Sequence, residues 1–428
     1  MTTAEILSVG TELLLGQIAN TNAQWMSERL AEIGVDVLHH QTVGDNEERI
    51  AEAFRLAVSR ADVVLATGGL GPTQDDVTRE GLAAALEVEL EPTPAIEDWL
   101  RERFAGLGRE MPESNLRQAL VPAGARYIVP ERGTAPGLIC QHEGTRVYAV
   151  PGVPAEMKEM LSGTILPELA ELAGPATIVS RVLKVTGMAE SRLAEILDDL
   201  FQGSANPTVA YLASNGEVKV RLTAKAPTRA EADALIEPLA EEVARRLGDR
   251  VYSTDDEILE HVVGRLLKTH ERRLACAESL TGGSLGARLT SAPGSSAFFV
   301  GSAVVYSEEA KREVLGVSKE TLEGPGVVSE ACAIEMAEGA RRLFGADIAV
   351  GLTGVAGPDP HGEEPPGRVW VAIVADGLEH AATFRAPGDR DQVRRWAEQA
   401  ALDMVRRHLL GLRQLRGRPG DPFDASQG

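Results

Sequence analysis

Apolar residues in the first 170 positions switch repeatedly between two spacings. Ile6-Leu7-Ser8-Val9 is a short apolar run that ends at Gly10. Thr21 to Ile33 instead places Trp25, Met26, Leu30 and Ile33 at helical intervals and stops at Gly34. Val35 to Val43 reads as a strand, Glu47 to Ser59 as a helix, and Val63 to Ala66 as a strand of buried type. This strand–helix alternation predicts a mainly parallel sheet with helices on both faces. Ligands of such sheets bind beyond the carboxyl ends of the strands. Gly10-Thr11-Glu12, Gly44-Asp45-Asn46 and Gly68 to Asp76 each follow a predicted strand, so all three fall along one edge. Two further glycine–proline loops, 133–138 and 151–157, follow, and the second opens a helix after the strand Val147 to Val150.

The pattern changes at Gly174-Pro175. Strand-like 178–185, helical 191–200, strand-like 209–213 and 218–224, and helical 229–247 make a small α+β unit without any chemical constellation. It lacks the glycine-rich clamp of an RNA-binding unit of this size, and reads as a spacer or assembly unit. After Ser253-Thr254-Asp255-Asp256 a third pattern begins: a helix over 258–268, a strand over 274–277, a glycine turn and a helix. It closes with a strand over 346–352, the loop 353–366, strands over 369–375 and 381–385, and a long helix over 390–410. The predicted organisation is α/β, with domains at 1–172, 173–253 and 254–415 and a disordered Gly/Pro/Asp/Ser tail at 416–428. A chain of 428 residues is long enough for several such cores.

Charge narrows the partners. Against 64 acidic residues stand 43 lysines and arginines, giving a net charge of −21. Such a surface repels phosphate backbones and anionic lipid, and 4% aromatic content leaves few stacking platforms, which argues against nucleic acid. Cys140, Cys276 and Cys332 are isolated, as expected of a reducing compartment. Glu5 and Glu12 interrupt any leader-like apolar run, and the longest uncharged stretch, 291–307, is short and contains Pro, Gly and Ser. A cytoplasmic protein without a membrane span is expected. A chemically silent middle unit further suggests a homodimer.

Two segments carry chemistry. Residues 66–78, Ala-Thr-Gly-Gly-Leu-Gly-Pro-Thr-Gln-Asp-Asp-Val-Thr, follow the run Val63-Val64-Leu65. Gly68, Gly69 and Gly71 allow backbone N–H groups to approach phosphate oxygens, and Asp75 and Asp76 offer hard ligands for a divalent cation. An ordinary strand-to-helix turn is the alternative. In the last domain, Ala277-Glu278-Ser279-Leu280-Thr281-Gly282-Gly283 places a serine at a strand end beside N–H groups suited to an oxyanion. No histidine is near it in sequence. The basic candidate is Lys311, in Tyr306-Ser307-Glu308-Glu309-Ala310-Lys311, which could act as a base if desolvated. Thr353-Gly354 follows another strand. A helix-capping serine and a solvated lysine are the ordinary alternatives, and the residues alone leave a serine hydrolase and a phosphate-binding domain open. His261, His270, His361 and His380 show no metal-ligand spacing and are assigned to structure.

Ser8-Val9-Gly10-Thr11-Glu12-Leu13-Leu14-Leu15-Gly16, Asn20-Thr21-Asn22, Val43-Gly44-Asp45-Asn46 and the 66–78 loop resemble the CinA family, whose first domain has the molybdopterin-binding fold, a three-layer α/β architecture. The 277–283 and 351–359 loops, with Tyr306, Lys311 and Thr353, resemble its C-terminal nicotinamide mononucleotide deamidase domain, and the middle unit its KH-like insert. The resemblance runs from about residue 4 to about residue 410. It implies two hydrolyses: of nicotinamide mononucleotide to nicotinic acid mononucleotide and ammonia, without a cofactor, and of ADP-ribose to AMP and ribose 5-phosphate, with Mg²⁺, Mn²⁺ or Co²⁺. Ser279 would then be the nucleophile and Lys311 its base, with Tyr306 and Thr353 orienting the pair or the substrate. Thr281, Gly282, Gly283, Gly354, Arg390 and Arg394 would bind oxyanion or phosphate. In the first domain Asp75 and Asp76 would hold the metal, while Glu12, Asn20, Asp45, Gly68, Gly69, Gly71 and Thr73 complete the pocket. A molybdopterin-binding or adenylyl-transferring first domain, or a competence-related nucleotide-binding scaffold, are the competing implications.

Overall fold

The computed structural model describes residues 2–203, 205–214 and 216–414, so the expectation of a disordered tail lies outside the described residues. Packing divides the chain into two compact units, one holding the residues up to 179 with 224–234, the other 180–223 and everything from 235.

In the first unit a six-stranded sheet runs in the order Asp36–Val43, Thr3–Val9, Val63–Thr67, Thr145–Val150, Gly137–His142, Arg126–Ile128. The first four strands are parallel and the last two antiparallel. Because strand side chains alternate, Leu7, Val64, Ala66 and Val147 face one apolar layer with Ile50, Phe54 and Leu82. Ile6, Val63, Leu65 and Tyr148 face the other, with Met26, Leu30 and Met157. Burial on both faces explains why Val63–Thr67 reads as an unbroken apolar run. The register aligns the strand ends: Ser8 pairs with Thr67, and Thr67 with Val150, so three strands finish side by side.

The middle strands form a sheet in the order Thr208–Ser214, Glu217–Ala226, Thr177–Thr186, Val251–Ser253.

In the second unit a five-stranded sheet is ordered Phe299–Val304, Leu274–Glu278, Ile348–Gly354, Arg368–Ala375, Leu378–Arg385. Its first three strands are parallel and its last two antiparallel. The strand 299–304 lies inside the uncharged stretch and, like the helix Glu330–Phe344, was not anticipated from sequence. That helix lies so close to the sheet that a Cβ on Gly351 would sit 2.2 Å from the Ala333 carbonyl oxygen. The last helix, Arg390–Leu409, starts at a capping box between Asp389 and Gln392. No helix among the described residues is long and apolar enough to cross a membrane.

Two candidate active sites

The three strand ends of the first sheet open into a cavity of about 440 Å³. Its wall includes Glu12, Asp45, Gly68, Gly69, Gly71, Asp75 and Asp76, joined by Gln118 and Glu156. The glycines are required by packing as much as by any ligand. Gly68 adopts φ +106°, and a Cβ there would lie 2.1 Å from the Val9 carbonyl oxygen; Gly69, at φ +66°, would meet the Thr78 hydroxyl at 2.2 Å. The Gly68 N–H is already bonded to Val150 O at 3.0 Å, which removes it as a phosphate donor. The N–H groups of Gly69 and Gly71 have no acceptor among the described residues.

The loop's acids are organised locally. Thr73 directs its hydroxyl at the carboxylates of Asp75 and Asp76, and its N–H donates to Asp76 Oδ2 at 2.8 Å. The Thr73 hydrogen bond holds the Asp75 carboxyl below the usual range. Thr73 therefore supports the acids and is absent from the cavity wall. Asp45 Oδ2 accepts from the Thr11 N–H at 2.9 Å. Asn20 does not reach the cavity: its Oδ1 caps the helix Thr21–Glu32 at the Ala23 N–H, and its Nδ2 donates to Ser8 Oγ at 2.8 Å. Glu156, which sequence reasoning passed over, has its carboxyl raised by burial and by the neighbouring Glu159.

A divalent cation fits this donor set in one manner. All available ligands are hard oxygens, yet no group of three or more His, Cys, Asp or Glu among the described residues forms a cage. Asp75 and Asp76 could hold an ion that keeps waters and takes phosphate oxygens for the rest of its shell, the habit of Mg²⁺.

In the second unit, Ser279 follows the strand Leu274–Glu278 and is 7% exposed. Lys311 is 2% exposed, on the first turns of the helix Glu308–Leu315, whose start Ser307 caps. The Lys311 Nζ lies 3.1 Å from Ser279 Oγ, 3.1 Å from Val305 O and 3.2 Å from Tyr306 O. Burial lowers its pKa below the ordinary lysine value, against smaller opposing contributions from Cys332 and Glu308. The pair lines a cavity of about 230 Å³ with Tyr306, Thr353, Gly354 and Arg390. Thr353 is 1% exposed and donates to Val327 O at 2.6 Å. Tyr306 stands at the mouth, its hydroxyl accepting from Arg390 Nη2 at 3.0 Å while Arg390 Nη1 donates to Gly357 O at 3.0 Å. His361, whose spacing in the sequence points to no ligand role, also lies on this wall with Asp359.

Four expected residues are not brought there. Thr281, Gly282, Gly283 and Arg394 are outside the cavity wall. The Gly282 N–H is bonded to Ser279 O, and the Gly283 N–H to Glu278 Oε2 at 2.9 Å. Arg394 grips Thr281 O through Nη2 at 2.7 Å. Local bonding takes the glycine donors: Glu278, fully buried, accepts from the N–H groups of Gly283, Leu285 and Gly286 and from Ser302 Oγ, while the Gly282 N–H turns back to the Ser279 carbonyl.

Comparison with known proteins places three family models along the chain. The family model "Probable molybdopterin binding domain" matches residues 5–171, "Damage-inducible protein CinA KH domain" residues 180–253, and "CinA C-terminal domain" residues 256–409. A CinA-like protein of Frankia casuarinae is 46% identical over 418 residues, covering 96% of each chain. One from Dictyoglomus thermophilum is 43% identical over 409 residues, covering 95% of this chain and 99% of its own. A solved CinA structure from Thermoplasma acidophilum is 35% identical and covers 38% of this chain and 96% of that one, at a TM-score of 0.37. With 43–46% identity to the Frankia and Dictyoglomus proteins over nearly the whole chain, and all three domain models matched in order, the chain belongs to the CinA family.

Proposed function

We propose that the second unit hydrolyses the carboxamide of nicotinamide mononucleotide, releasing ammonia and nicotinic acid mononucleotide. The observation that carries this is the buried contact between Lys311 Nζ and Ser279 Oγ at 3.1 Å. When Lys311 is neutral, its two hydrogens serve Val305 O and Tyr306 O, so its lone pair is aimed at Ser279 Oγ. The amine takes the hydroxyl proton as the serine oxygen attacks the carboxamide carbon. The same ammonium then delivers a proton to the departing nitrogen, leaving an ester on Ser279 and free ammonia. Water, deprotonated by the regenerated amine, hydrolyses the ester and returns the proton to Ser279. The oxyanion is met by N–H groups without an acceptor among the described residues, those of Leu280, Ala356 and Gly357 on the cavity wall. Arg390 has guanidinium hydrogens left for a phosphate at the mouth. Incubating the protein with nicotinamide mononucleotide and measuring ammonia tests the reading.

For the first unit we propose hydrolysis of ADP-ribose to AMP and ribose 5-phosphate. Support comes from the acid-lined cavity at the strand ends, with the free N–H groups of Gly69 and Gly71 beside Asp75 and Asp76. A divalent ion held there would polarise the pyrophosphate and make a bound water more acidic. The chain's own part is to bind and orient: Thr73 fixes the carboxylates, and Asp45 and Glu12 bound the pocket. A molybdopterin-binding or adenylyl-transferring role is the second reading, favoured by the match over 5–171. Metal-dependent AMP formation from ADP-ribose, lost in Asp75→Ala and Asp76→Ala, decides between them.

A further inference from the structure

The short 3₁₀ segment Glu113–Ala119 carries no recognisable motif, yet the fold lays it against the glycine–carboxylate loop. Arg117 straps the loop down, donating to Thr73 O, to Asp76 O at 3.2 Å and to Glu80 Oε1 at 2.7 Å. The next residue, Gln118, is 1% exposed and lines the cavity. Its Oε1 accepts from Asn115 Nδ2 at 2.8 Å, and Asn115 is itself 5% exposed. Its Nε2 has no partner among the described residues. A buried amide donor left unpaired is destabilising, and the few that native proteins retain call for a specific explanation. No carboxylate of the wall pairs with it: none of Glu12, Asp45, Asp75, Asp76 and Glu156 bonds to Gln118.

We propose that Gln118 is a ligand-binding residue of this cavity, its Nε2 donating to a phosphoryl oxygen of the bound nucleotide. Asn115 fixes the amide so that its donor side is the one left over, and the Arg117 strap sets its height above the loop. Among five carboxylates, a neutral donor relieves the repulsion an anionic ligand would feel, together with the open N–H groups of Gly69 and Gly71. The inference rests on reading the cavity as a nucleotide site.

The test is calorimetric binding of ADP-ribose and AMP to the full chain, with Mg²⁺ and with chelator, alongside the Tm of the unliganded protein. Gln118→Glu keeps the acceptor for Asn115 and the shape of the side chain but loses the donor; Gln118→Met loses the donor without adding charge. The expected result, at a temperature where both variants stay folded, is a Kd about tenfold higher or more for Gln118→Glu and about fivefold higher for Gln118→Met. A lower Tm with unchanged Kd in both variants would mean that Gln118 is structural, and would overturn the inference. A wild-type protein that binds neither nucleotide would overturn the reading of the cavity itself, and this inference with it.

Discussion

At Lys311 one nitrogen meets three acceptors, two of them carbonyls that cannot give up their role and one a hydroxyl that can. Burial holds the group below its ordinary pKa of 10.5. The unfolded chain therefore binds this proton more tightly than the folded one. Below the folded-state pKa the residue costs stability in full, and the cost fades as pH rises toward the unfolded value. Two outcomes are expected for Lys311→Met: deamidase activity falls by about 10³-fold or more, and thermal stability at neutral pH exceeds wild type, with the gap narrowing as pH rises. Wild-type activity should climb with pH through a limb below the ordinary lysine range; urea unfolding and a pH–rate profile check both. Some of this was legible in the sequence. Ser279 stood at a strand end before Thr-Gly-Gly, and Lys311 was the only base the segment offered. Gln118 was not legible, because a single glutamine in a 3₁₀ turn has no periodicity or motif to announce it. The same holds for His361, which reaches the Ser279 cavity only through the course of the 357–366 loop.

At the scale of elements, a buried carboxylate decides what the Ser279 turn can do. Glu278 ends its strand, accepts three N–H groups at the start of the helix Ser284–Ser291, and so fixes Ser279 between strand and helix. Replacing it with alanine leaves those donors and Ser302 unpaired, and a loss of about 3 kcal/mol or more is expected. Glu278→Gln retains an acceptor and should recover part of both stability and activity, which denaturant melts and ammonia assays would show. In the first sheet, Gly68→Ala is expected to be severely destabilising, because a Cβ 2.1 Å from the Val9 carbonyl oxygen must push two paired strand ends apart. The parallel strands and their helices were readable from period alone, as Thr21–Glu32 and Val63–Thr67 show. The role of Gly282 and Gly283 was misread because hydrogen bonds, unlike periodicity, depend on what the fold brings alongside. Here the Gly283 N–H goes to Glu278, just before the serine, and the Gly282 N–H to the carbonyl of Ser279 itself.

The whole molecule carries two candidate sites on separate sheets, each at the carboxyl ends of parallel strands, in a chain with a net charge of −21. On the proposed reading both cavities attract phosphates against that charge, and the local donors for it are glycine N–H groups and Gln118 in one, Arg390 in the other. No residue is shared between the two cavity walls. Asp75→Ala is therefore expected to abolish AMP formation from ADP-ribose and leave ammonia release from nicotinamide mononucleotide within twofold of wild type, in parallel assays on one preparation. The most direct measurement is ammonia release from nicotinamide mononucleotide by wild type and Ser279→Ala at matched, folded concentrations. A wild type that releases ammonia catalytically, with a Ser279→Ala variant about 10⁴-fold slower or more, is the result expected from the Ser279–Lys311 pair. Undiminished release by Ser279→Ala, or a wild type without release, would contradict it.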